Sequence, residues 1–245
     1  VVLGLIYHRY GTVKHRVFFK FLVFFILVAL AATLSRSSWL ALGPMLIALI
    51  WFSKRKMVVI VPVVLVTVIV LLVMPPGIRE RAMFTFTQPL EQGQIKLGGV
   101  RLDTSTSARL DSWKNVLTRD FIENPFFGRG VTGYRFLDAQ YPRVLAESGL
   151  LGLFFFLALL VAIFRNALQT RRLCHDDPFY AGISTGYLAG YFAMLTHAIG
   201  SNTFIIVRIM EPFWFLTAII VMIPQIDPSF DPDRIRMNQR LTRPI

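Results

Sequence analysis

Hydrophobic residues along this chain form long blocks and do not alternate with polar positions. A helix that crosses a membrane needs roughly 20 largely apolar residues, with a range of about 17 to 25. Six blocks reach or approach that length, at residues 17–34, 38–52, 57–74, 148–164, 179–198 and 204–223. The pattern therefore predicts an all-α fold, a polytopic transmembrane helix bundle with about six spans.

Short polar segments separate these blocks, and their basic residues predict how the bundle is oriented. If the six spans alternate, four segments rich in Lys and Arg fall on one side, at residues 8–16, 53–56, 165–173 and 234–243. Basic loops mark the cytoplasmic side of a membrane protein. The remaining connections are then predicted to lie outside, at residues 35–37, 75–147 and 199–203.

The external connection at residues 75–147 is far longer than the others and divides the chain. We predict transmembrane helices at 1–74, a large external loop at 75–147, transmembrane helices at 148–223 and a cytoplasmic tail at 224–245. The opening "VVLGLIY" has the pattern of the end of an earlier apolar segment. We therefore expect this chain to be the C-terminal part of a longer protein.

Composition supports a membrane protein and excludes other classes. Hydrophobic residues make up 55% of the chain and charged residues 16%, whereas a soluble domain has about 25% charged residues. The net charge of +12 would indicate nucleic-acid binding in a soluble protein, but here it lies mainly in short loops, where topology explains it. The single Cys174 excludes an intrachain disulfide framework and a multi-cysteine metal site.

The second half of the long loop has the pattern of an amphipathic helix. In "SARLDSWKNVLTRDFIENP", four apolar residues recur at helical spacing: Leu110, Trp113, Leu117 and Phe121. Residues 105–107 offer candidate N-caps, and Pro125 bounds the far end. We expect this helix to lie on the membrane surface or against the bundle.

A glycine-rich stretch, "ENPFFGRGVTGYRF", follows this helix and contains G-x-G-x-x-G. A dinucleotide site would need a strand before the glycines and a surrounding βαβ unit, and the long loop has neither. Two interpretations remain. The glycines form a tight surface turn, or their backbone N–H groups cradle an anion, with Arg129 and Arg135 beside them. The second interpretation points to a phosphate-bearing substrate in the membrane, a lipid-linked pyrophosphate.

Four stretches of this sequence resemble a known family: "TLSRSSWLAL", "RLDSWKNVLTRDFIENPFFGRGVTGY", "YPRVLAESGLLGLFFFLALL" and "HAIGSNTFIIVRIMEPFWFLTAII". They are similar to the C-terminal half of the O-antigen ligase and O-antigen polymerase superfamily. The shared order is Arg-x-x-x-Trp, then Asn-Pro-x-x-Gly-x-Gly, then Leu-x-Glu-x-Gly-Leu-x-Gly, and the resemblance covers most of residues 17–223.

The resemblance implies a multi-pass glycosyltransferase of the bacterial inner membrane, active in O-antigen or exopolysaccharide biosynthesis. Such enzymes move a glycan from undecaprenyl pyrophosphate to an acceptor on the periplasmic face. The resemblance therefore implies that the external loop at 75–147 is a periplasmic loop that carries the active site. Ligases use lipid A-core as the acceptor, and polymerases use the next lipid-linked repeat unit. The family is thought to work without a metal or other cofactor, with arginines in place of a cation. Polysaccharide-assembly proteins are further expected partners, whereas nucleic acid is not.

The resemblance also carries roles to particular residues. Arg109 matches the loop arginine, Gly128 and Gly130 match the turn, and Glu147 matches the acidic residue before the fourth span. Ligases commonly have His-Asn shortly before that acidic residue, where this chain has Asp138 followed by Ala. The departure favours the polymerase branch.

We expect pyrophosphate to be bound by arginines, namely Arg109, Arg129, Arg135, Arg36 and Arg208. The expected catalytic residues are two carboxylates, Asp138 and Glu147. Each has a structural alternative. Arg36 would anchor a helix end, Arg208 would pair with Glu211, Asp138 would cap a turn, and Glu147 would pair with Arg143. His197, near the external end of the fifth span, is expected to be structural more often than functional.

The predicted reaction is an inverting transfer that polymerises oligosaccharide units, and a ligase reaction is the nearest alternative. A transporter or flippase for lipid-linked oligosaccharide is a third interpretation, since Arg208 and Glu211 lie within a predicted span. A non-catalytic assembly subunit is a fourth, and it predicts that Arg109 can be replaced without loss.

Overall fold

The computed structural model describes residues 1–33, 35–53, 103–131 and 137–226, together with a few single positions, 56, 60, 80, 83, 84, 94, 96, 97, 100 and 101. Nearly all of the described residues are helical, which confirms the all-α prediction for this part of the chain. The exception is a short antiparallel pair, β1 at Lys96–Leu97 and β2 at Val100–Arg101.

Three helices come before the strands: α1 at Val2–Tyr7, α2 at Val13–Ala32 and α3 at Arg36–Trp51. The long loop then contributes α4 at Thr104–Asn115, a π-helical turn at Val116–Asp120 and α5 at Phe121–Glu123. Three long helices complete the described chain: α6 at Gln140–Leu173, α7 at Pro178–His197 and α8 at Val207–Ile226.

Three of the described helices are long and apolar enough to cross a membrane, namely α2, α6 and α8. Helix α3 is apolar but shorter, and α7 has the length of a span but does not meet the same criteria of composition. The predicted span at residues 57–74 lies outside the described residues. The apolar helices indicate a multi-pass membrane protein, but the count of about six spans is not confirmed.

Helix α7 is the central helix of the described bundle, which explains why small and polar residues interrupt its apolar sequence. Nine of its residues are buried: Ala181, Gly182, Ser184, Thr185, Gly186, Tyr187, Leu188, Ala189 and Tyr191. Tyr191 donates to the Leu160 carbonyl of α6 at 2.7 Å, and the Tyr187 hydroxyl lies 2.7 Å from Thr217 Oγ1 of α8. A helix packed against other helices in a membrane favours small residues and hydrogen-bonding side chains over purely apolar ones.

Residues in or beside three of the segments predicted to be cytoplasmic, 8–16, 53–56 and 165–173, meet at one end of the bundle, here called the basic end, whereas the fourth segment, 234–243, lies outside the described residues. The Arg171 guanidinium near the end of α6 donates to the Phe52 carbonyl just after α3 and lies 5.1 Å from the centre of the Phe52 ring. The ring centroids of Tyr10 and Phe179 are 4.8 Å apart at the same end. The opposite end, where α3 begins and α7 ends, is called the external end.

The amphipathic helix of the long loop is present, but its buried face differs from the predicted stripe. Leu110 and Leu117 are exposed, whereas Ser107, Val116 and Asp120 are buried. The π-helical turn widens the helix after Asn115. The buried positions after Asn115, Val116 and Asp120, each lie one residue before a member of the predicted stripe.

The helix also begins earlier than predicted. Its N-cap position is Asp103, whereas residues 105–107 were the predicted caps. The Ser105 hydroxyl donates to Asp103 Oδ2 at 2.6 Å. The Ser105 side chain therefore bonds to the Asp103 carboxylate, and Asp103 occupies the N-cap position.

Candidate functional site

Asp138 is held at the external end by the residues on either side of it. Asn202 Nδ2 donates to the Leu137 carbonyl at 2.6 Å, and the Gln140 N–H donates to the Ala198 carbonyl at 3.1 Å. Leu137 is buried, as is the residue after Asp138, while half of the Asp138 side chain is exposed. The chain therefore docks on the loop between α7 and α8 and leaves the carboxylate facing outward.

Arg109 reaches this carboxylate from helix α4. Its Nη2 donates to Asp138 Oδ2 at 3.3 Å, and its side chain is 28% exposed. One turn further, Trp113 Nε1 donates to the Ile199 carbonyl at 3.2 Å, which fixes α4 against the loop between α7 and α8. Solvent-accessible ion pairs contribute little stability, so this arginine can exchange its carboxylate partner for a phosphate at small cost.

A second feature of Arg109 is a donor without a partner. Its Nε is buried and has no hydrogen-bond acceptor among the described residues. A buried donor without an acceptor is costly, and a guanidinium has five N–H donors in a fixed fork that suits a phosphate group. The side chain thus has binding capacity beyond its bond to Asp138.

His197 lies close to both charges at the end of α7. Its Nδ1 is 2.8 Å from Thr203 Oγ1, and its Nε2 is 3.5 Å from Ser37 Oγ and 3.4 Å from Ser38 Oγ. Both ring nitrogens therefore face hydroxyl groups that join α3 to α7. This arrangement fits the structural role expected for a single interfacial histidine.

Arg36 ties the start of α3 to the start of α4. Its Nη2 donates to Asp103 Oδ2 at 2.5 Å and to Ser105 Oγ at 2.6 Å. Burial alone would raise the pKa of the Asp103 carboxyl, but hydrogen bonds from Arg36, Ser105 and Thr106 hold that pKa well below its usual range. Only 2% of the Asp103 side chain is exposed. Sequence reasoning missed this aspartate, although Asp followed by Thr-Ser is a recognisable helix start.

The glycine turn packs its backbone directly against α6. The Arg129 and Gly130 N–H groups donate to the carbonyls of Ala146 and Glu147, each at 2.9 Å. In the opposite direction, the N–H groups of α6 donate to the turn, from Leu150 to Pro125 at 2.8 Å and from Leu151 to Phe126 at 3.3 Å. We call this contact between Pro125–Gly130 and Ala146–Leu151 the turn–helix clasp.

Two glycines allow the clasp to form. A Cβ on Gly128 would lie 2.6 Å from the carbonyl carbon of Glu147, and a Cβ on Gly149 would lie 2.4 Å from that of Phe126. Gly149 has φ +65° and interrupts α6, which leaves backbone groups free to bond with the turn. Because the Gly128 N–H also donates to the Asn124 carbonyl, the N–H groups of residues 128–130 are already used and do not form the exposed anion cradle considered above.

Arg129 and Glu147 belong to the clasp and not to the Arg109–Asp138 pair. Arg129 Nη2 donates to Glu123 Oε2 and lies 3.4 Å from Asp120 Oδ1. Arg143 Nε donates to Glu147 Oε1 at 2.8 Å, in an ion pair of which both side chains are largely shielded from solvent. The structure thus forms the Arg143 pair that was one of the two interpretations of Glu147.

Two further arginines of the expected set are not brought to this place. Arg208 is exposed in the first turn of α8, and the structure describes no ion pair between it and the exposed Glu211. No contact described in these parts of the chain joins Arg208 to Arg109 or Asp138. Arg135 lies outside the described residues.

An apolar cavity of about 250 Å³ lies between α2, α3, α7 and α8. Leu30, Leu42, Met194 and Ile209 contribute to its apolar wall, and His197 lies on its lining with Ser38 and Thr203. His197, on the lining of this cavity, also lies within electrostatic range of both Arg109 and Asp138, so the cavity and the ion pair share this residue as a neighbour.

Comparison with protein families finds a match over the middle of the chain. Residues 21–157, more than half of the chain, match the model of the O-antigen ligase family. The matched region runs from α2 to the middle of α6 and includes Arg36, Arg109, the glycine turn and Asp138. Comparison with curated proteins finds no match.

Proposed function

The chain belongs to the O-antigen ligase family, and we propose that it polymerises oligosaccharide units carried on undecaprenyl pyrophosphate. Family membership itself establishes a membrane enzyme of O-antigen or lipopolysaccharide assembly. The proposal adds the donor, the polymerase reaction and the location, with the external end on the periplasmic face of the bacterial inner membrane. It rests on the Arg109–Asp138 pair beside an apolar cavity.

The pair supplies the two groups that this transfer needs. The acceptor hydroxyl oxygen attacks the anomeric carbon of the donor sugar, and the bond from that carbon to the pyrophosphate oxygen breaks. Asp138 accepts the proton of the attacking hydroxyl. Arg109 stabilises the negative charge that develops on the leaving pyrophosphate. The products are a longer glycan with inverted anomeric configuration and free undecaprenyl pyrophosphate.

The other expected residues support this centre. Arg36 holds the start of α4 through Asp103 and thereby positions Arg109. Arg208 and Arg135 are proposed as additional cations for the lipid-linked pyrophosphate, so that neither a metal ion nor a cofactor is needed. Glu147 remains a second candidate base, whereas Arg129, placed between two carboxylates, is proposed to hold the clasp.

The polymerase reaction is favoured over ligation to lipid A-core because Asp138 and Ala139 stand where ligases commonly have His-Asn. We assign His197 a structural role, in which its ring nitrogens contact the hydroxyls of Thr203 and Ser38. Transport is less favoured. A transporter site lies near the bilayer midplane, whereas Arg36, Arg109 and Asp138 gather at one end of the bundle.

The proposal is tested by deleting the full-length gene and complementing it with wild type, Arg109→Ala and Arg119→Ala. Arg119 is a matched control because it is 80% exposed on the same helical segment. Surface glycan is separated on a gel after equal membrane expression is confirmed. A polymerase predicts that Arg109→Ala loses the repeat ladder and keeps a single unit on the acceptor, while Arg119→Ala keeps the ladder.

Other patterns on this gel identify the alternatives. If all attached repeats disappear while long chains remain on the carrier lipid, the enzyme is a ligase. A normal ladder with Arg109→Ala would remove the role proposed for that arginine and favour a transporter or an assembly subunit.

A further inference from the structure

Four large apolar side chains are exposed around the glycine turn, and glycosyl transfer does not account for them. The exposed fractions are 60% for Phe126 and 79% for Phe127, with 68% for Ile122 and 73% for Val131. We call these four residues the apolar turn. Single exposed apolar residues are ordinary, but a contiguous group marks a binding surface.

The turn–helix clasp sets the position of the apolar turn along α6. The Leu150 and Leu151 N–H groups donate to the carbonyls of Pro125 and Phe126. Phe126 and Phe127 therefore lie beside the turn of α6 that contains these two leucines. Because backbone atoms make the contact, the level of the two rings along the helix is fixed by main-chain geometry.

That part of α6 itself presents an apolar outer surface. Leu150 is 46% exposed and Leu151 42%, and the next turn exposes Phe154 at 62% and Phe155 at 67%. Helix α6 is one of the three described helices that are long and apolar enough to cross a membrane. The apolar turn thus continues the lipid-facing surface of α6 toward the external end.

The same loop also exposes charged side chains. Arg119 is 80% exposed and Glu123 is 49% exposed, and the two side chains form an ion pair with each other at 3.8 Å. Aromatic side chains are enriched at the boundary between headgroups and acyl chains, where the charged face of a segment stays in water. The loop therefore exposes both apolar and charged side chains, as an interfacial segment does.

We propose that Phe126 and Phe127 insert into the outer leaflet of the bilayer, where lipid acyl chains cover them. The insertion anchors the long loop beside α6 and keeps helix α4, with Arg109, at the level of the lipid headgroups. This anchor rests on the position of α6 in the membrane and not on the glycosyl-transfer reaction.

A fluorescent label on Phe127→Cys in the full-length protein tests the anchor, in a background without other accessible cysteines. Cys174 is buried and is replaced by serine. The same label at Arg119→Cys is the matched control, comparably exposed but charged in the wild type, and at Phe154→Cys it is the reference for lipid contact. Proteins are placed in nanodiscs of phosphatidylcholine that carries a nitroxide on the upper acyl chain, and iodide is the aqueous quencher.

The anchor predicts that nitroxide lipid quenches the label at 127 nearly as strongly as at 154 and several-fold more than at 119. Iodide should quench the label at 119 and leave that at 127 nearly unaffected. Strong iodide quenching at 127 would show that the turn lies in water and would overturn the proposal. Quenching at 127 by neither agent would show that protein covers the turn, and it would overturn the proposal equally.

Discussion

Replacing Gly149 with alanine gives the sharpest test of the turn–helix clasp. The added Cβ would lie 2.4 Å from the carbonyl carbon and oxygen of Phe126 and 2.6 Å from the Phe127 nitrogen. These are backbone atoms, so no side-chain rotation can relieve the contact. The alanine would also have to adopt φ +65°, a backbone angle that residues other than glycine rarely adopt. The turn must therefore move away from α6.

The free-energy cost of Gly149→Ala has two contributions. A non-glycine residue in the left-handed region costs about 1–2 kcal/mol, and each lost backbone hydrogen bond of the clasp costs about 0.5–1.5 kcal/mol. Loss of the bonds from Leu150 and Leu151 to the turn brings the expected destabilisation of the clasp to about 3 kcal/mol. Since 1.4 kcal/mol corresponds to a tenfold change in an equilibrium constant, local opening should become roughly 100-fold more frequent.

Hydrogen–deuterium exchange of the full-length protein measures this opening directly, in peptides covering Pro125–Gly130 and Ala146–Leu151. Gly130→Ala separates backbone strain from steric contact. Gly130 has φ +85°, but no atom lies within 4 Å of a Cβ added at this position. It should accelerate exchange by only about tenfold. Gly190→Ala, inside α7 with no neighbour within 4 Å, should change nothing in either peptide. If the two peptides exchange no faster in Gly149→Ala than in Gly130→Ala, the contact between the added Cβ and the Phe126 backbone does not open the clasp. That result would contradict the role given to Gly149.

Four further predictions concern the charged residues. Asp103→Asn should lower the free energy of unfolding by about 3 kcal/mol at neutral pH in a denaturation assay, because it leaves Arg36 without its buried carboxylate. The pKa of Asp103 is held below its usual range, so the Arg36–Asp103 pair should stabilise the wild type at pH values above the ordinary carboxyl pKa. This stabilisation should be lost as the pH falls below about 4. Equal acid sensitivity of wild type and Asp103→Asn would contradict this prediction. Arg109→Lys should reduce glycan transfer roughly 10-fold and Arg109→Ala at least about 100-fold, since only arginine offers a planar fork to pyrophosphate. Arg129→Ala should leave the transfer rate within several-fold of wild type, and a loss as large as that of Arg109→Ala would refute its assignment to the clasp. Asp138→Asn should lower kcat by about 100-fold to 10,000-fold with membrane expression unchanged, and near-normal kcat would move the base to another residue.

The apolar blocks were sufficient to predict most of the described helices. The blocks at 17–34 and 204–223 correspond to α2 and α8, and that at 148–164 falls inside α6. Helix α6 begins at Gln140, earlier than predicted. The hydrophobic pattern could not reveal this earlier start, because the first two turns of α6 carry polar residues. These residues pack against the loop and not against lipid.

The contacts that join distant segments could not be predicted from local patterns. Arg36 was a candidate phosphate ligand, but its partner Asp103 lies 67 positions further along the chain. Gly149 belonged to the family motif, yet only the folded backbone shows that it meets Phe126. Both contacts depend on how α3 and α6 pack with the long loop, and a periodic pattern holds no information about that packing.

The members of the central ion pair were predicted, whereas their pairing was not. Arg109 followed from the arginine motif and from its suitability for phosphate, and Asp138 followed from the family resemblance, at the place where ligases commonly have histidine. The docking of the chain around Asp138 depends on Asn202 and Gln140. Neither amide has a spacing that would have identified it, because an amide side chain serves equally well in a loop, a cap or a core contact.

The most direct test of the central claim is an assay of the purified full-length protein in nanodiscs. Undecaprenyl-pyrophosphate-linked repeat units are supplied as the only substrate, and mass spectrometry follows both the lipid-linked glycan and the free carrier. A polymerase predicts carrier lipids bearing two or more repeat units, with one undecaprenyl pyrophosphate released for each new bond, and loss of both products in Arg109→Ala. If the wild type leaves the repeat units unjoined and releases no carrier, even with lipid A-core added, the protein does not catalyse glycosyl transfer and the account is wrong.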